Sequence, residues 1–420
     1  MWKEQNKVAL PIQTIIAKQE TMVSKTSRNF LISSVAAAAA LCCVATARAD
    51  ALSFKTADGQ WTLGGALRFR YDYLAYGTPR VNKFSLDTFY LTLQYDSPTW
   101  FFNSQYRFYG GSYPYAYAPY GKVNFPRYAY VGYKLSKTSQ VQAGLNWVPF
   151  GIQPLVSDSW LESVGNVVGL EDEDNFGVKY ENRLGALDYT VAFYPTSGGN
   201  WNGTSNGDSY SLNVVPADSY VTNGSQNKER NKLVGRVTYD LPEVGGLKST
   251  LGASVMYSTL YNYTTMRNGH RNAVDIDYSA TYKRFNLQVE IARQNMAPEN
   301  PSSIGNSTVT FGAFDGTFNV ASKGTMYTLN LGYSSPLKFS QVSEIHPYLT
   351  YSTYNKSEPG FLNTTRVLLG VSAKVGPIYV QPELQLGKND PYIGDYTQGA
   401  GAGGANRWNK RLYINFGYYF

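Results

Sequence analysis

The ten residues Arg411-Leu412-Tyr413-Ile414-Asn415-Phe416-Gly417-Tyr418-Tyr419-Phe420, at the end of the chain, decide the fold. Leu412, Ile414, Phe416, Tyr418 and Phe420 occupy every second position, so a strand puts all five on one face. Arg411, Tyr413, Asn415, Gly417 and Tyr419 take the other face. Such a strand fits a soluble sandwich whose second sheet covers the aromatic side. Apolar outside, polar inside and ending on Phe, it is what the closing strand of a barrel in lipid needs.

The rest of the chain separates these readings. Trp61, Leu63, Leu67, Phe69, Tyr71 and Tyr73 share one parity, with Thr62, Arg68, Arg70 and Asp72 on the other. Further apolar rows follow at Phe89–Tyr95, Trp100–Phe108, Ala129–Leu135, Val141–Trp147, Phe176–Tyr180, Leu187–Phe193, Leu233–Tyr239 and Leu251–Tyr257. They continue at Val274–Tyr282, Phe285–Ile291, Tyr327–Tyr333, Val367–Val375 and Ile378–Leu386, with a weaker run around Leu349 and Tyr351. With the terminal strand these make sixteen candidates. Short connections at Asp96–Thr99, Ser136–Ser139, Leu241–Gly246 and Val375–Pro377 alternate with long segments at 110–124, 149–174, 195–230, 296–322 and 388–407. A sandwich does not require that alternation, and sixteen strands exceed the usual open sheet. The expected fold is all-β: a transmembrane antiparallel barrel of sixteen strands with short periplasmic turns and long outer loops.

Residues 1–49 read as an export signal. Lys25 and Arg28 precede an apolar stretch, Phe30 to Val44, and Ala47-Arg48-Ala49 forms a small-residue cleavage pattern before Asp50. The polar residues 1–21 suggest that translation starts at Met22 and that the upstream stretch is an over-extended frame. The barrel domain is then 50–420. Six of the 37 Lys and Arg, and two of the 30 Asp and Glu, fall within residues 1–49, leaving 31 against 28. That near balance argues against nucleic acid as a partner. Both cysteines, Cys42 and Cys43, also fall there, so the remaining chain has neither disulfides nor thiolate metal ligands. The export signal and lipid-facing rows imply the outer membrane of a Gram-negative cell, with its lipid as a partner. The aromatic terminus at Phe416, Tyr418 and Phe420 resembles the signal read by the bacterial barrel-assembly machinery.

A sixteen-stranded barrel encloses a lumen wider than side chains alone fill. If the apolar rows face lipid, the opposite parity lines water. The pore-lining candidates are Arg68, Arg70, Asp72, Arg107, Lys134, Lys179, Arg236, Lys283, Arg366 and Lys374, with Lys232, Arg411, Asp188, Asp240, Asp275, Asp277, Glu290 and Glu383 on the same parity. For any one of them the plain alternative is a solvated or ion-paired wall residue. The long segment 149–174 mixes polarity, and Ile152, Leu155, Val156 and Trp160 have nowhere to bury except the lumen. It is the expected constriction loop, with Asp158, Trp160, Glu162 and the run Glu171, Asp172, Glu173, Asp174 as its candidate residues. The consecutive carboxylates lack calcium-loop spacing and read as a solvated loop end. The Gly- and Asn-rich loops, among them 198–208 and 399–404, read as mobile and water-facing. His270 and His346, the two histidines, sit in no nucleophile motif, so no enzyme or cofactor is expected.

Phe125-Pro126-Arg127-Tyr128-Ala129-Tyr130-Val131-Gly132-Tyr133-Lys134, followed by Val141-Gln142-Ala143-Gly144-Leu145-Asn146-Trp147-Val148-Pro149-Phe150-Gly151, resembles the phosphate-selective porin O and P family. The resemblance implies a homotrimeric sixteen-stranded porin, narrowed by its third loop, that passes small hydrophilic solutes or ions by passive diffusion. Phosphate selectivity does not carry over, because the charge balance and the acidic loop end lack a concentrated basic lining. An adhesin or receptor barrel that uses its long loops is the alternative from a different class.

Overall fold

The computed structural model describes residues 51–77 and 80–420; the export segment, with Met22 and the residue-49 boundary, lies outside them. Among the described residues, eighteen strands form one sheet, and two of these are short extensions, at Leu52–Lys55 and Ser335–Phe339. The other sixteen are the wall. The first eight are β1 (Gln60–Leu74), β2 (Asn82–Asp96), β3 (Trp100–Tyr109), β4 (Val123–Lys134), β5 (Ser139–Trp147), β6 (Asp174–Leu184), β7 (Leu187–Thr196) and β8 (Asn227–Asp240). The second eight are β9 (Leu247–Asn262), β10 (Asn268–Tyr282), β11 (Phe285–Ala297), β12 (Lys323–Tyr333), β13 (Val342–Lys356), β14 (Thr364–Val375), β15 (Ile378–Lys388) and β16 (Trp408–Tyr419). Each of the sixteen matches one of the alternating rows, including the weak run at Leu349 and Tyr351, which falls in β13.

Every strand pairs antiparallel with its sequence neighbour, and the sheet closes where β1 meets β16 through nine residue pairs, Ala66↔Tyr419 to Leu74↔Arg411. Phe420 extends the seam: its carbonyl accepts from the Gly65 amide at 2.8 Å, and its amide donates back at 3.1 Å. Leu52–Lys55 pairs with Lys55↔Gln60 through Leu52↔Leu63, covering the edge of β1 beyond the end of β16. In hydrocarbon an unpaired amide costs several kcal/mol, so closure is what allows a sheet to cross a bilayer.

The parity read from sequence holds through the wall except where a bulge shifts the register, as in β2 and β4. Val178, Val191, Leu233, Val255, Val274, Ile276 and Leu331 are exposed on the outer face. Aromatic side chains cluster at the turn end of that face, where Trp100 meets Tyr133 and Phe285 meets Tyr333, each at 4.7 Å between ring centres. Such rings suit the boundary between hydrocarbon and headgroups.

The seam leaves no room for a side chain at Gly65, where an added Cβ would stand 2.4 Å from the Tyr90 carbonyl oxygen and 2.8 Å from the Phe420 ring. Gly65→Val is therefore expected to destabilise the closed barrel by about 1–3 kcal/mol. The check is the temperature at which the folded form loses its fast migration in an SDS gel. An unchanged temperature would mean that the seam tolerates bulk there.

Candidate functional site in the barrel lumen

Arg68, Arg70 and Asp72 point inward from β1, Arg107 from β3 and Arg411 from β16. Two β-bulges add charges that parity alone places outside. In β2, Thr88 and Leu86 pair with Arg68 and Phe69, so Asp87 is an extra residue and turns inward, 6% exposed. In β4, Tyr128 and Pro126 pair with Gln105 and Tyr106, and the extra residue is Arg127. A bulge re-aims side chains by inserting one residue into one strand. The sequence reading missed both, although a charge in an apolar row signals such a break, because an Arg facing lipid near the midplane costs roughly 2–4 kcal/mol.

These five arginines line a cavity of about 410 Å³ with nine tyrosines, Trp160 and Phe314. Four of the five have carboxylate partners. Arg70 Nε lies 2.6 Å from Asp72 and its Nη1 3.0 Å from Asp87. Arg411 reaches Asp72 at 2.6 Å, Arg68 reaches Asp87 at 3.4 Å, and Arg127 reaches Asp172 at 3.0 Å. Arg107 has none among the described residues. Its Nε donates to Gln105 at 2.7 Å and its Nη1 to the Tyr109 hydroxyl at 3.4 Å. Its guanidinium carbon stands 4.5 Å from the Tyr210 ring centre and 5.4 Å from that of Tyr90. Arg68 is stacked in the same way on Trp160, at 4.4 Å.

Across the lumen the wall is covered, and an apolar patch of it is packed beneath loops. Val234, Met256, Leu260, Ala273, Ala292, Met296 and Met326 face inward from β8 to β12. They pack against Val164, Val167, Val168 and Leu170 of the third outer loop (residues 148–173) and Val309, Phe311, Phe318 and Val320 of the sixth (residues 298–322). The sixth loop is a hairpin, Thr308–Ala313 and Gly316–Ala321, joined by Asn213–Val214 of the fourth loop into a three-stranded sheet. The eighth loop closes on it, as the Asn319 and Ala321 amides donate to the Thr397 and Ala400 carbonyls. Burying a Val, Leu or Phe side chain stabilises by roughly 1.5–3 kcal/mol. This offsets part of the conformational entropy lost when the loops become ordered. Segments 198–208 and 399–404, expected to be mobile and water-facing, are instead part of this packing. Ser205, Asp208 and Ala400 are buried, and the Thr204 and Ser205 amides donate to Asp315 at 2.7 Å.

The third loop crosses to strands β9, β11, β13 and β14. The Gly151 amide donates to Ser254, the Ile152 amide to Glu290, and the Val164 amide to Ser352. Arg366 donates to the Leu161, Glu162 and Ser163 carbonyls and to both oxygens of Asp390. The acidic run is a correction to the solvated loop end expected above: all four residues are buried. Glu171 braces the loop internally, accepting from the Val156 and Ser163 amides at 3.1 Å. Asp172 binds Arg127 and Tyr210, Glu173 pairs with Lys232, and the Asp174 side chain has no partner among the described residues. Burial raises the Asp172 carboxyl, but Arg127 and Tyr210 outweigh it and hold the group below the usual carboxylate range. Burial, then the Asp172 and Glu171 charges, push the Glu162 carboxyl well above that range. Asp158 lies 3.2 Å from His346 and accepts from Asn330 at 2.8 Å.

The remaining expected lining residues divide. Lys179 is buried beside Glu181 at 2.9 Å, Arg236 reaches Asp277 at 2.7 Å and Asp275 at 3.6 Å, and Glu383 accepts from Tyr348. Five placements change. Lys283 occupies the turn between β10 and β11, exposed, with its ammonium over Tyr282. Lys374 is exposed near the turn end of β14. Lys134 sits at the turn-side rim, paired with Asp96 at 2.6 Å. Asp188 and Asp240 meet Arg183 at that same rim. Parity fixes which face a residue takes but not its height along the barrel.

Arg366 joins the third and eighth loops to the wall, so Arg366→Met leaves Asp390 buried and unpaired, a local cost of about 3–5 kcal/mol. We expect faster cleavage of these loops by added protease while the barrel stays folded. An unchanged cleavage rate would contradict this anchoring.

No family model matches the chain and no curated protein matches it, so the resemblance to the O and P family rests on its two strands and turn. Solved structures do match. The outer membrane channel DcaP of Acinetobacter baumannii is 13% identical with a TM-score of 0.59, covering 87% of this chain and 99% of its own. An anion-selective porin from Comamonas acidovorans is 14% identical with a TM-score of 0.54, covering 86% and 100%. Outer-membrane expressed OmpT of Vibrio cholerae is 13% identical with a TM-score of 0.51, covering 88% and 100%. The fold this chain shares with them is the sixteen-stranded barrel of outer-membrane porins.

Proposed function

We propose that the chain is a Gram-negative outer-membrane porin that passes small hydrophilic solutes by passive diffusion, exported by its first 49 residues and assembled as a homotrimer. One observation carries the reading: a closed barrel keeps an arginine-lined cavity on the side of its lumen that the loops leave unfilled. The third loop narrows the passage, because its Trp160, Leu161 and Glu162 line that cavity, with Trp160 against Arg68. The similar structures described as an outer membrane channel and an anion-selective porin support the channel reading. The long loops that motivate an adhesin turn into the lumen, which removes that motive.

The charge selectivity follows from the pairing. Asp72, Asp87 and Asp172 offset much of the arginine charge, so the passage favours anions weakly and is not a dedicated phosphate site. Its field is screened over ~8 Å at physiological salt, so the bias falls as salt rises.

Purified protein in planar bilayers is expected to give discrete conductance steps with a small anion bias by reversal potential. Deleting Pro154 to Val168 is expected to raise the conductance and admit larger sugars. A folded barrel without conductance would overturn the channel, clear cation selectivity would overturn the basic passage, and an unchanged sugar cutoff would overturn the constriction.

A further inference from the structure

Among the five guanidinium groups of the cavity, Arg107 alone lacks a carboxylate partner among the described residues. It is 6% exposed, its guanidinium lies near the rings of Tyr90 and Tyr210, and its Nε donates to Gln105. Its Nη2 makes no hydrogen bond within the described residues. Two buried donors in the same wall, Nε of Arg68 and Nε of Arg127, have no partner among the described residues. Buried donors left open in this way mark a place for an acceptor that the protein does not supply.

The surroundings specify what carries that acceptor. Tyr109, Tyr115, Tyr392, Tyr396, Phe314 and Trp160 line much of the cavity, so aromatic faces outnumber the side-chain amides of Asn166 and Gln385. A volume of about 410 Å³ lies at the lower end of small-molecule sites. One guanidinium without a carboxylate partner matches one carboxylate, since each of the other four already contacts one of Asp72, Asp87 and Asp172.

We propose that the cavity is a binding station for a small aromatic monocarboxylate, its carboxylate on Arg107 and its ring among the tyrosines. The assignment rests on the channel reading and names its substrate class. The carboxylate takes charge-assisted hydrogen bonds from Arg107, and the ring gains offset or edge-on contact with the tyrosine faces. Binding is shallow enough to release the solute, because Arg107 is the one guanidinium of the cavity without a carboxylate partner among the described residues.

The test is interruption of single-channel current by benzoate, cyclohexanecarboxylate, acetate and phosphate, each added to one side at equal ionic strength. Benzoate is expected to bind most tightly, cyclohexanecarboxylate more weakly, and acetate and phosphate least. Losing a hydrogen bond to a charged group costs about tenfold or more in affinity, so Arg107→Gln is expected to weaken benzoate by about that factor. Tyr210→Leu is expected to reduce the gap between benzoate and cyclohexanecarboxylate. Lys283→Gln, in a turn outside the lumen, serves as the control and is expected to behave as the parent protein. Phosphate or acetate binding as tightly as benzoate, or benzoate affinity unmoved by Arg107→Gln, would overturn the assignment while leaving the channel intact. Absence of any current would overturn the channel reading itself.

Discussion

Pairing of every backbone amide inside the membrane is the constraint on which the rest of this structure depends. Hydrocarbon offers no water to an unpaired N–H, so the sheet must close, and it does so where β1 meets β16 and Phe420. Closure fixes the two faces. Once alternate residues face lipid, charges have one place to go, and the guanidinium groups of Arg68, Arg70, Arg107 and Arg411 gather inside one stretch of wall. The seam strands therefore do two jobs at once: they complete the barrel and supply much of the basic lining.

The wall was legible in the sequence because period-two alternation is local. Each of the sixteen rows marks a strand, and even the weak row at Leu349 and Tyr351 does so. Height along the barrel is not encoded by parity, which is why Lys134, Lys283, Lys374, Asp188 and Asp240 turned out to lie at turns or the rim. Register breaks were the second blind spot. Asp87 and Arg127 stand in apolar rows, and a bulge at each brings them inward. The sign was present in both cases, as a charge where lipid contact would be costly.

The loops were the least legible part, for a physical reason. Their composition is that of water-facing segments, yet their few apolar residues lie far apart in sequence and meet only once the barrel is closed. Val164 to Leu170 and Val309 to Val320 find Met256, Met296 and Met326 across the lumen, a long-range packing that no local pattern announces. The same packing draws the acidic run of residues 171–174 out of solvent and against Arg127 and Lys232. The lumen is thereby divided, with an apolar cluster packed on part of β8 to β12 and an arginine-lined cavity under β1 to β4, β15 and β16.

That division is the central claim, and single cysteines test it directly, since Cys42 and Cys43 both precede the barrel. Tyr113→Cys lies on the arginine-lined side, and Ala292→Cys lies beneath the apolar core. The measurement is the change in single-channel current when a small anionic methanethiosulfonate reagent is added. A division of the lumen predicts rapid modification and a fall in current at position 113, with no reaction at 292. Equal reaction at both positions would show an undivided lumen and contradict the account.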